Sequence, residues 1–436
     1  MISGAMLNLG MGCGKTKIAV DLIINFKFKR VLILCPKSVI TVWPKEFEKH
    51  AGHSRWAVLP LNKGTIAQRL EQAEAFLHLQ EVKDNQAIIV MNYEAVWRSP
   101  FDSWVLNFAN FDLVICDESH RIKAAGSAIS KYMARLADKV PYRLCLTGTP
   151  MPQGPMDLYG QYRFLDKGIF GTSFTKFRAR YAQVVPLGDT GAYKIVGYQN
   201  EDELHEKFYS LAYRADRDVL DLPEAIHNTR EVELEPKTLR VYKNLEHDFY
   251  AWIDEGKEVT VSNALAKILR LQQVTSGHIP TDDGDLVTVG YDKAEALADL
   301  FEDIPAEEPI VVFCRFRHDL DIIKQTAEKA GRSAGELSGR LNQLAEWQTG
   351  KFNVLATQIQ AGGVGVDLTR ACYCIYYSVG HSLGDYEQSL ARTHRPGQQR
   401  TVFYYHIIAS GTIDEKVYKS LQMKKDIVRA ILDREV

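Results

Sequence analysis

Short runs of apolar residues, hydrophobic on both faces, recur along the chain between stretches of helical spacing. In the first half they are Val31–Cys35, Ala87–Met91, Leu113–Cys116 and Arg143–Leu146. In the second half they are Ile310–Cys314, Asn353–Thr357, Cys374–Tyr377 and Val402–Ile408. A strand covered on both faces reads as a continuous Val/Ile/Leu run, so these runs predict buried parallel strands. Lys17–Phe28 and Leu320–Ala330 read as helices between them. Alternating strand and helix predicts doubly wound α/β units, and two such series occur. Between them, residues 171–278 are polar, aromatic and mostly helical in pattern. Asp221-Leu222-Pro223-Glu224 reads as a hinge, because proline disfavours helix at the residue before it. The acidic turn Asp282-Asp283-Gly284-Asp285 reads as a second break.

Composition narrows the class. The chain has 436 residues, 46% hydrophobic and 25% charged, which fits a globular enzyme of about three folding units. A disordered or collagen-like chain is excluded. No apolar run approaches the roughly 18 residues of a membrane span. The first residues lack the basic region of a signal peptide, and a reducing cytoplasm is the expected compartment. Seven cysteines and no CxxC pair argue against a disulfide framework or zinc ribbon. Cys35, Cys116, Cys145 and Cys314 read as reduced core residues, and Cys372 and Cys374 as structural. A net charge of -2 excludes a globally basic nucleic-acid protein. Residues 1–150 nevertheless carry more Lys and Arg than Asp and Glu, so a local basic groove remains open.

Three motifs in the first half carry chemistry. Gly10-Met11-Gly12-Cys13-Gly14-Lys15-Thr16 precedes an apolar helix. Glycines let backbone N–H groups turn around phosphate oxygens at the positive end of that helix. In a P-loop of this kind Lys15 reaches the β- and γ-phosphates and Thr16 sets its hydroxyl on Mg²⁺. The spacing departs from GxxxxGK[ST], because Leu9 stands at the first glycine position. Asp117-Glu118-Ser119-His120 follows an apolar strand. An aspartate there can hold Mg²⁺, and the adjacent glutamate can orient the attacking water. Thr147-Gly148-Thr149-Pro150 follows another strand. Taken singly, these are also a glycine turn, two solvated carboxylates and an ordinary turn. In an open parallel sheet, however, such strand ends share one crevice.

With these residues in place, the chain resembles a helicase superfamily-two motor, specifically a Swi/Snf-type DNA-dependent ATPase. Met11-Gly12-Cys13-Gly14-Lys15-Thr16 resembles motif I, Asp117–His120 the DEAH box, and Leu146–Pro150 motif III. Cys35–Ile40 with Trp43 and Glu46 resembles motif Ia, and Val90–Glu94 a nucleic-acid contact motif. Ile310–Phe316 resembles motif IV, and Gly335–Gly339 the short element after it. Ala356–Leu368 resembles motif V, and Gln388–Gln398 motif VI. The His394-Arg395-Pro396-Gly397-Gln398 ending is characteristic of the Swi/Snf group.

The resemblance implies two RecA-like doubly wound parallel-sheet lobes with helical insertions. Lobe 1 would span residues 1–170, with its protrusion and brace at 171–225. The protrusion of lobe 2 would span 226–290, and lobe 2 itself 291–436. It implies ATP and Mg²⁺, with catalytic roles for Lys15, Asp117, Glu118, Gln388, Arg392 and Arg395. Nucleotide would be held by Gly12, Cys13, Gly14, Lys15, Thr16, Gly365 and Asp367, and metal by Thr16 and Asp117. Arg392 and Arg395 are three apart, so on a helix they would share a face toward the γ-phosphate. Lys37, Ser38, Asn92, Tyr93, Arg315, Thr357, Gly362 and Gly363 are the implied contacts to DNA, duplex and with little sequence specificity.

Phe174–Tyr181 and Leu204–Asp218 resemble the first protrusion, Arg214–Val219 with Leu222-Pro223 the interlobe brace, and Tyr242–Ile253 and Leu265–Ile279 the second protrusion. Ser119 for alanine in the DEAH box is a small-for-small change, and His381 stands where relatives often have tryptophan. Relatives usually carry an adenine-reading segment before motif I, and only a few residues precede it here. Either the native start lies upstream or adenine binding is weakened. The expected activity is that of a compact bacterial or bacteriophage-like translocase, working as a monomer without a membrane. The rival readings are a strand-separating helicase and a DNA-binding scaffold without turnover.

Overall fold

The computed structural model describes residues 3–52, 55–187, 192–254, 261–281, 285–361 and 366–433. The chain divides into two compact units, residues 1–220 with 424–436, and residues 221–423. Each is built on an all-parallel sheet.

The first unit holds β1 (Gly4–Leu9), β2 (Arg30–Cys35), β3 (Trp56–Leu61), β4 (Gln86–Asn92), β5 (Leu113–Asp117) and β6 (Tyr142–Thr147). A two-stranded antiparallel hairpin, β7 (Ala182–Leu187) and β8 (Ala192–Tyr198), precedes β9 (Ala212–Ala215). The main sheet runs β3-β4-β2-β5-β6-β1-β9. Its central strands are the apolar runs of the sequence, and β4 is buried at all seven positions. One core forms around them, with Leu32, Ile89, Met91, Val114 and Cys145 from the strands and Tyr159, Tyr162 and Phe164 from a helix over the sheet.

The second unit holds β10 (Ala225–Val232), a small hairpin of β11 (His278–Pro280) and β12 (Leu286–Thr288), then β13 (Ile310–Cys314), β14 (Ala334–Leu337), β15 (Val354–Gln358), β16 (Tyr373–Tyr376) and β17 (Val402–Ala409). Its sheet runs β10-β17-β16-β13-β15-β14. Its core gathers Ile310, Val312, Val354, Ala356, Ile375 and Ile407 from the strands, with Leu297, Leu300, Leu320 and Ile323 from two helices. These two doubly wound sheets give the α/β, RecA-like architecture.

Several elements depart from the pattern reading. β3 sits at a sheet edge, only half-buried along five of its six residues, so it tolerates Pro60 and lacks a buried strand's continuous signal. β10 is also an edge strand, with the polar sequence Ala225-Ile226-His227-Asn228-Thr229-Arg230-Glu231-Val232. The region 171–278 is therefore not simply helical. Helices at Phe174–Tyr181, Glu201–Tyr209, Pro236–Asp254 and Val261–Thr275 alternate with β7, β8, β9 and β10. Leu204–Asp218, likened to part of the first protrusion, is the end of a helix followed by β9 in the main sheet. Residues 282–284 of the acidic turn lie outside the described residues. No disulfide joins the described cysteines, and all but Cys13 are buried. Among the described residues no helix is long and apolar enough to cross a membrane.

Candidate functional site

In the first unit, β1, β5 and β6 end side by side at the carboxyl edge of the sheet, because all run parallel and β6 lies between the other two. Their connecting loops carry the motifs. The loop after β1 leads into a helix at Lys15–Asn25, which we label α1. Gly12 and Gly14 adopt left-handed backbone, with φ of 87° and 80°. That conformation suits glycine and lets successive N–H groups form an anion nest. Leu9, at the position of the missing first glycine, is instead the last strand residue, 1% exposed in the core. Its carbonyl accepts from Lys15 Nζ at 2.8 Å, and the Gly10 carbonyl accepts from the same nitrogen at 3.2 Å. The loop is backed by β9, since Gly10 N–H donates to the Ala215 carbonyl at 2.9 Å.

The turn after β6 closes on this loop. A Cβ on Gly148 would lie 3.1 Å from the Leu9 carbonyl oxygen and 3.5 Å from Lys15 Nζ. Glycine there allows the two loops to approach. Asp117 ends β5, and Glu118 follows it in left-handed backbone at φ 53°, an uncommon state for a non-glycine residue. Both are nearly buried, at 6% and 4% exposure. Burial, then the Glu118 charge, push the Asp117 carboxyl up to about 7, against the pull of Lys15. The Asp117 side chain accepts from Trp43 Nε1 at 3.3 Å, and its carbonyl accepts from the Tyr93 hydroxyl at 2.7 Å. His120 Nδ1 lies 3.4 Å from Glu118 Oε2. Ser119 is more than a small filler: its hydroxyl donates to Gln161 Oε1 at 2.7 Å, and Gln161 Nε2 donates to the Pro150 carbonyl at 2.7 Å. The acidic turn is thus tied to the turn after β6.

This arrangement fits a nucleotide with a divalent cation. A nest with a lysine at its mouth suits phosphate, and two adjacent buried carboxylates call for positive charge. Thr16, second residue of α1, and Asp117 are the residues that would hold Mg²⁺.

An open groove of about 900 Å³ lies at the neighbouring strand ends, after β2 and β4. Lys37, Ser38 and Asn92, three of the DNA contacts that the resemblance implies, line it. So do Arg69, Arg98 and Arg121, which the motifs did not single out. Arg69 sits on the helix Ile66–Val82, whose Thr65 and Gln68 form a reciprocal capping box, and it donates to Asn92 Oδ1 at 3.1 Å. The signal for it was a lone arginine one residue past that cap. Tyr93 does not face the groove. It is 3% exposed and its hydroxyl is engaged by Asp117, so it cannot reach a phosphate.

In the second unit, Gln388 and Arg392 lie on the helix Leu383–Thr393, started by Ser382, whose hydroxyl accepts from Asp385 N–H at 3.2 Å. The helix ends at Thr393, so Arg395 does not share a helical face with Arg392 as the spacing suggested. Arg395 is instead in the following turn and donates from NH1 to the Val366 carbonyl at 3.3 Å. Arg392 is 2% exposed, and its carbonyl accepts from Leu368 N–H at 3.1 Å. Asp367 lies between, exposed, with its carboxylate capping Thr369 N–H at 2.9 Å. Segments 366–368 and 392–395 are therefore joined. Gly362, Gly363 and Gly365 lie outside the described residues. Arg315 is half-buried and donates to Gln272 Oε1. Thr357 is fully buried in β15, so its side chain is not open to a phosphate.

Comparisons with known proteins show what the chain is similar to. A model of the SNF2-related domain matches residues 1–278, and one of the helicase conserved C-terminal domain matches residues 292–397. A putative protein from Acyrthosiphon pisum secondary endosymbiont phage 1 is 28% identical over 97% of this chain and 93% of its own length. A DNA repair and recombination protein of Saccharomyces cerevisiae is 26% identical over 99% of this chain and 51% of its own length. An uncharacterized ATP-dependent helicase of Mycoplasma pneumoniae is also 26% identical over 99% of this chain, but only 40% of its own. The chain thus spans about half or less of those two longer relatives. A solved Sulfolobus solfataricus SWI2/SNF2 ATPase core in complex with dsDNA is 24% identical, covering 98% of this chain and 88% of that one, with a TM-score of 0.42. With the first family model covering well over half of its residues, the chain belongs to the SNF2-related family of helicase-type ATPase domains.

Proposed function

We propose that this chain is a DNA-dependent ATPase that hydrolyses ATP to ADP and phosphate while tracking duplex DNA. The observation that carries the reading is the placement of two sites on adjacent strand ends of one sheet: a glycine nest with Lys15 and a buried carboxylate pair, beside a groove lined by Lys37, Arg69, Arg98 and Arg121. One arrangement suits triphosphate and the other a phosphodiester backbone.

In this reading Lys15 neutralises the β- and γ-phosphates, and backbone from Gly12 to Thr16 cradles them. Thr16 and Asp117 would hold Mg²⁺, which would supply charge neutralisation on the phosphates. Glu118, fixed by its backbone and by the neighbouring His120, orients and polarises the attacking water. Gln388, Arg392 and Arg395 are assigned to the charge that develops on the transferring phosphoryl group. DNA is held through its phosphates by Lys37, Ser38, Asn92 and Arg315, with Tyr93 and Thr357 removed from that set. The motor lobes are assigned to residues 1–170 with β9, and to β10 with residues 291–423, with insertions between them; residues 424–436 belong to the first unit.

A strand-separating reading draws on the β7–β8 hairpin, which exposes Val185, Tyr193, Ile195 and Val196. Exposed apolar side chains on a two-stranded ribbon are suited to unstacking bases. Stimulation of ATP hydrolysis mainly by single strands would favour it over duplex tracking.

Glu118→Gln tests the assignment of the site. It keeps the side chain's shape and removes the carboxylate. ATP hydrolysis is expected to fall at least about a hundredfold, with duplex affinity retained. Turnover within a few-fold of the unsubstituted protein would contradict the assigned role.

A further inference from the structure

The groove and the acidic pair are joined by the chain itself, in three places. Lys37 and Ser38 line the groove, and a few residues later Trp43, on the helix Val42–His50, sends its indole N–H to Asp117 Oδ2 at 3.3 Å. Asn92 and Glu94 line the groove, and Tyr93 between them donates its hydroxyl to the Asp117 carbonyl at 2.7 Å. Arg121 lines the groove, and it lies three residues beyond Glu118 on the short helix Ser119–Ile122. In each case a groove-lining residue has a near neighbour in sequence at the acidic pair, or is itself that neighbour.

The groove side of this arrangement is set by polar contacts that an anion would disturb. Arg69 donates to Asn92 Oδ1 at 3.1 Å, Asn92 Nδ2 donates to Glu94 Oε2 at 2.8 Å, and Arg121 NH1 lies 3.4 Å from Glu94 Oε1. A phosphate entering the groove competes for Arg69 and Arg121, so it loosens their hold on Asn92 and Glu94. Tyr93 cannot move independently of those two. Its ring is buried in the core, and its hydroxyl reaches the backbone at the point where β5 turns into the left-handed residue Glu118. A small shift of the β4 end is therefore delivered to the carboxylate assigned to water. Trp43 is fully buried and acts on the same aspartate from its side chain.

We propose that Tyr93 and Trp43 are positioning residues that transmit occupancy of the basic groove to the carboxylate pair Asp117 and Glu118. This rests on the reading of the chain as a DNA-dependent ATPase and names the route of the dependence. Neither residue touches nucleotide or DNA. They set how well the pair is aligned once DNA is bound.

The test is Tyr93→Phe, which removes one hydroxyl and keeps the ring that fills the core. Steady-state ATP hydrolysis is measured with and without saturating duplex DNA, alongside the KM for ATP, the duplex Kd by anisotropy, and the thermal midpoint. The expected result is a ratio of DNA-stimulated to DNA-free kcat lowered about fivefold, with KM and Kd each within about twofold, as for removal of one alignment hydrogen bond. Trp43→Phe, which removes the other donor, is expected to lower the same ratio. An unchanged ratio in either variant overturns that residue's assignment. Equal loss with and without DNA also overturns it, since that is the mark of a merely structural role. If the unsubstituted protein itself shows no stimulation by any DNA, the ATPase reading falls and takes this proposal with it. The two failures are thus told apart by the unsubstituted control.

Discussion

Ser119 shows how much a single side chain can add to a motif. Its hydroxyl is fully buried and bonds to Gln161, which in turn holds the Pro150 carbonyl. Replacing it with alanine leaves Gln161 Oε1 buried without that donor. Such a change costs about 1–3 kcal/mol, so Ser119→Ala is expected to lower the thermal midpoint by several degrees. An unchanged midpoint in a melting experiment would mean that the bond contributes nothing net. The sequence reveals the residue but not the bond, because Gln161 is distant in the chain and carries no motif. Lys15, Asp117 and Glu118 are legible for the opposite reason: their spacing and their place at strand ends dictate their surroundings. Tyr93 and Thr357 are misleading in sequence because a motif gives a position and not a direction. Both lie where strands meet the site, yet their side chains point into the core.

Among the elements, the helix Leu158–Leu165 is held against the acidic turn by the absence of one side chain. A Cβ on Gly160 would lie 2.2 Å from the Ile122 carbonyl oxygen and 2.6 Å from that of Lys123. Both are backbone atoms and cannot swing aside. Gly160→Ala is therefore expected to destabilise the protein by roughly 1–3 kcal/mol despite alanine's better helix propensity, read as a lower denaturation midpoint. A more stable variant would show that the helix can slide without cost.

In the second unit β14 depends on a buried charge. Burial pushes the Glu336 carboxyl up, but hydrogen bonds from Arg340, Lys324 and Ser338 outweigh that and hold it at about 2. The unfolded value is about 4.3, so this carboxylate contributes stability that is present above that pH and lost as pH falls toward 2. Glu336→Gln is expected to flatten the acid limb of stability between about pH 4.5 and 2. An unaltered acid limb, measured by denaturation across that range, would contradict the pairing. The buried ion pair between Lys293 and Asp414 belongs to the same class. Lys293→Met takes the cation from Asp414, leaving it the hydrogen bonds from Thr275 and Ala409, and is expected to cost about 3 kcal/mol, read from the same denaturation curves at neutral pH.

The central strands are readable from hydrophobicity alone, since burial on both faces forces continuous apolar runs such as Ile310–Cys314. The edge strands are not. β10 pairs on one side only and can remain polar, and β9 has four residues. The β7–β8 hairpin carries no core pattern because most of its described residues are exposed.

At the scale of the molecule, the chain joins two parallel-sheet units, one carrying a nest, an acidic pair and a basic groove, the other carrying paired arginine segments. Overall charge gives no sign of a cationic groove, because -2 averages the surplus of Lys and Arg in residues 1–150 against the deficit in the rest of the chain. The groove makes a quantitative statement possible. Removing one cation that binds a phosphate lowers the dependence of affinity on salt by about one unit of log–log slope. Arg98→Ala is expected to weaken duplex binding and to reduce that slope by about one, in titrations from low to moderate salt. Weakened binding with an unchanged slope would place Arg98 away from phosphate.

The central claim is that ATP turnover answers to DNA. The most direct measurement is steady-state ATP hydrolysis with Mg²⁺ at low salt, without nucleic acid, with single-stranded DNA and with duplex DNA. Strong stimulation by duplex, exceeding that by single strands, is the predicted result. Hydrolysis indifferent to both forms of DNA, or no hydrolysis with duplex bound, would contradict it.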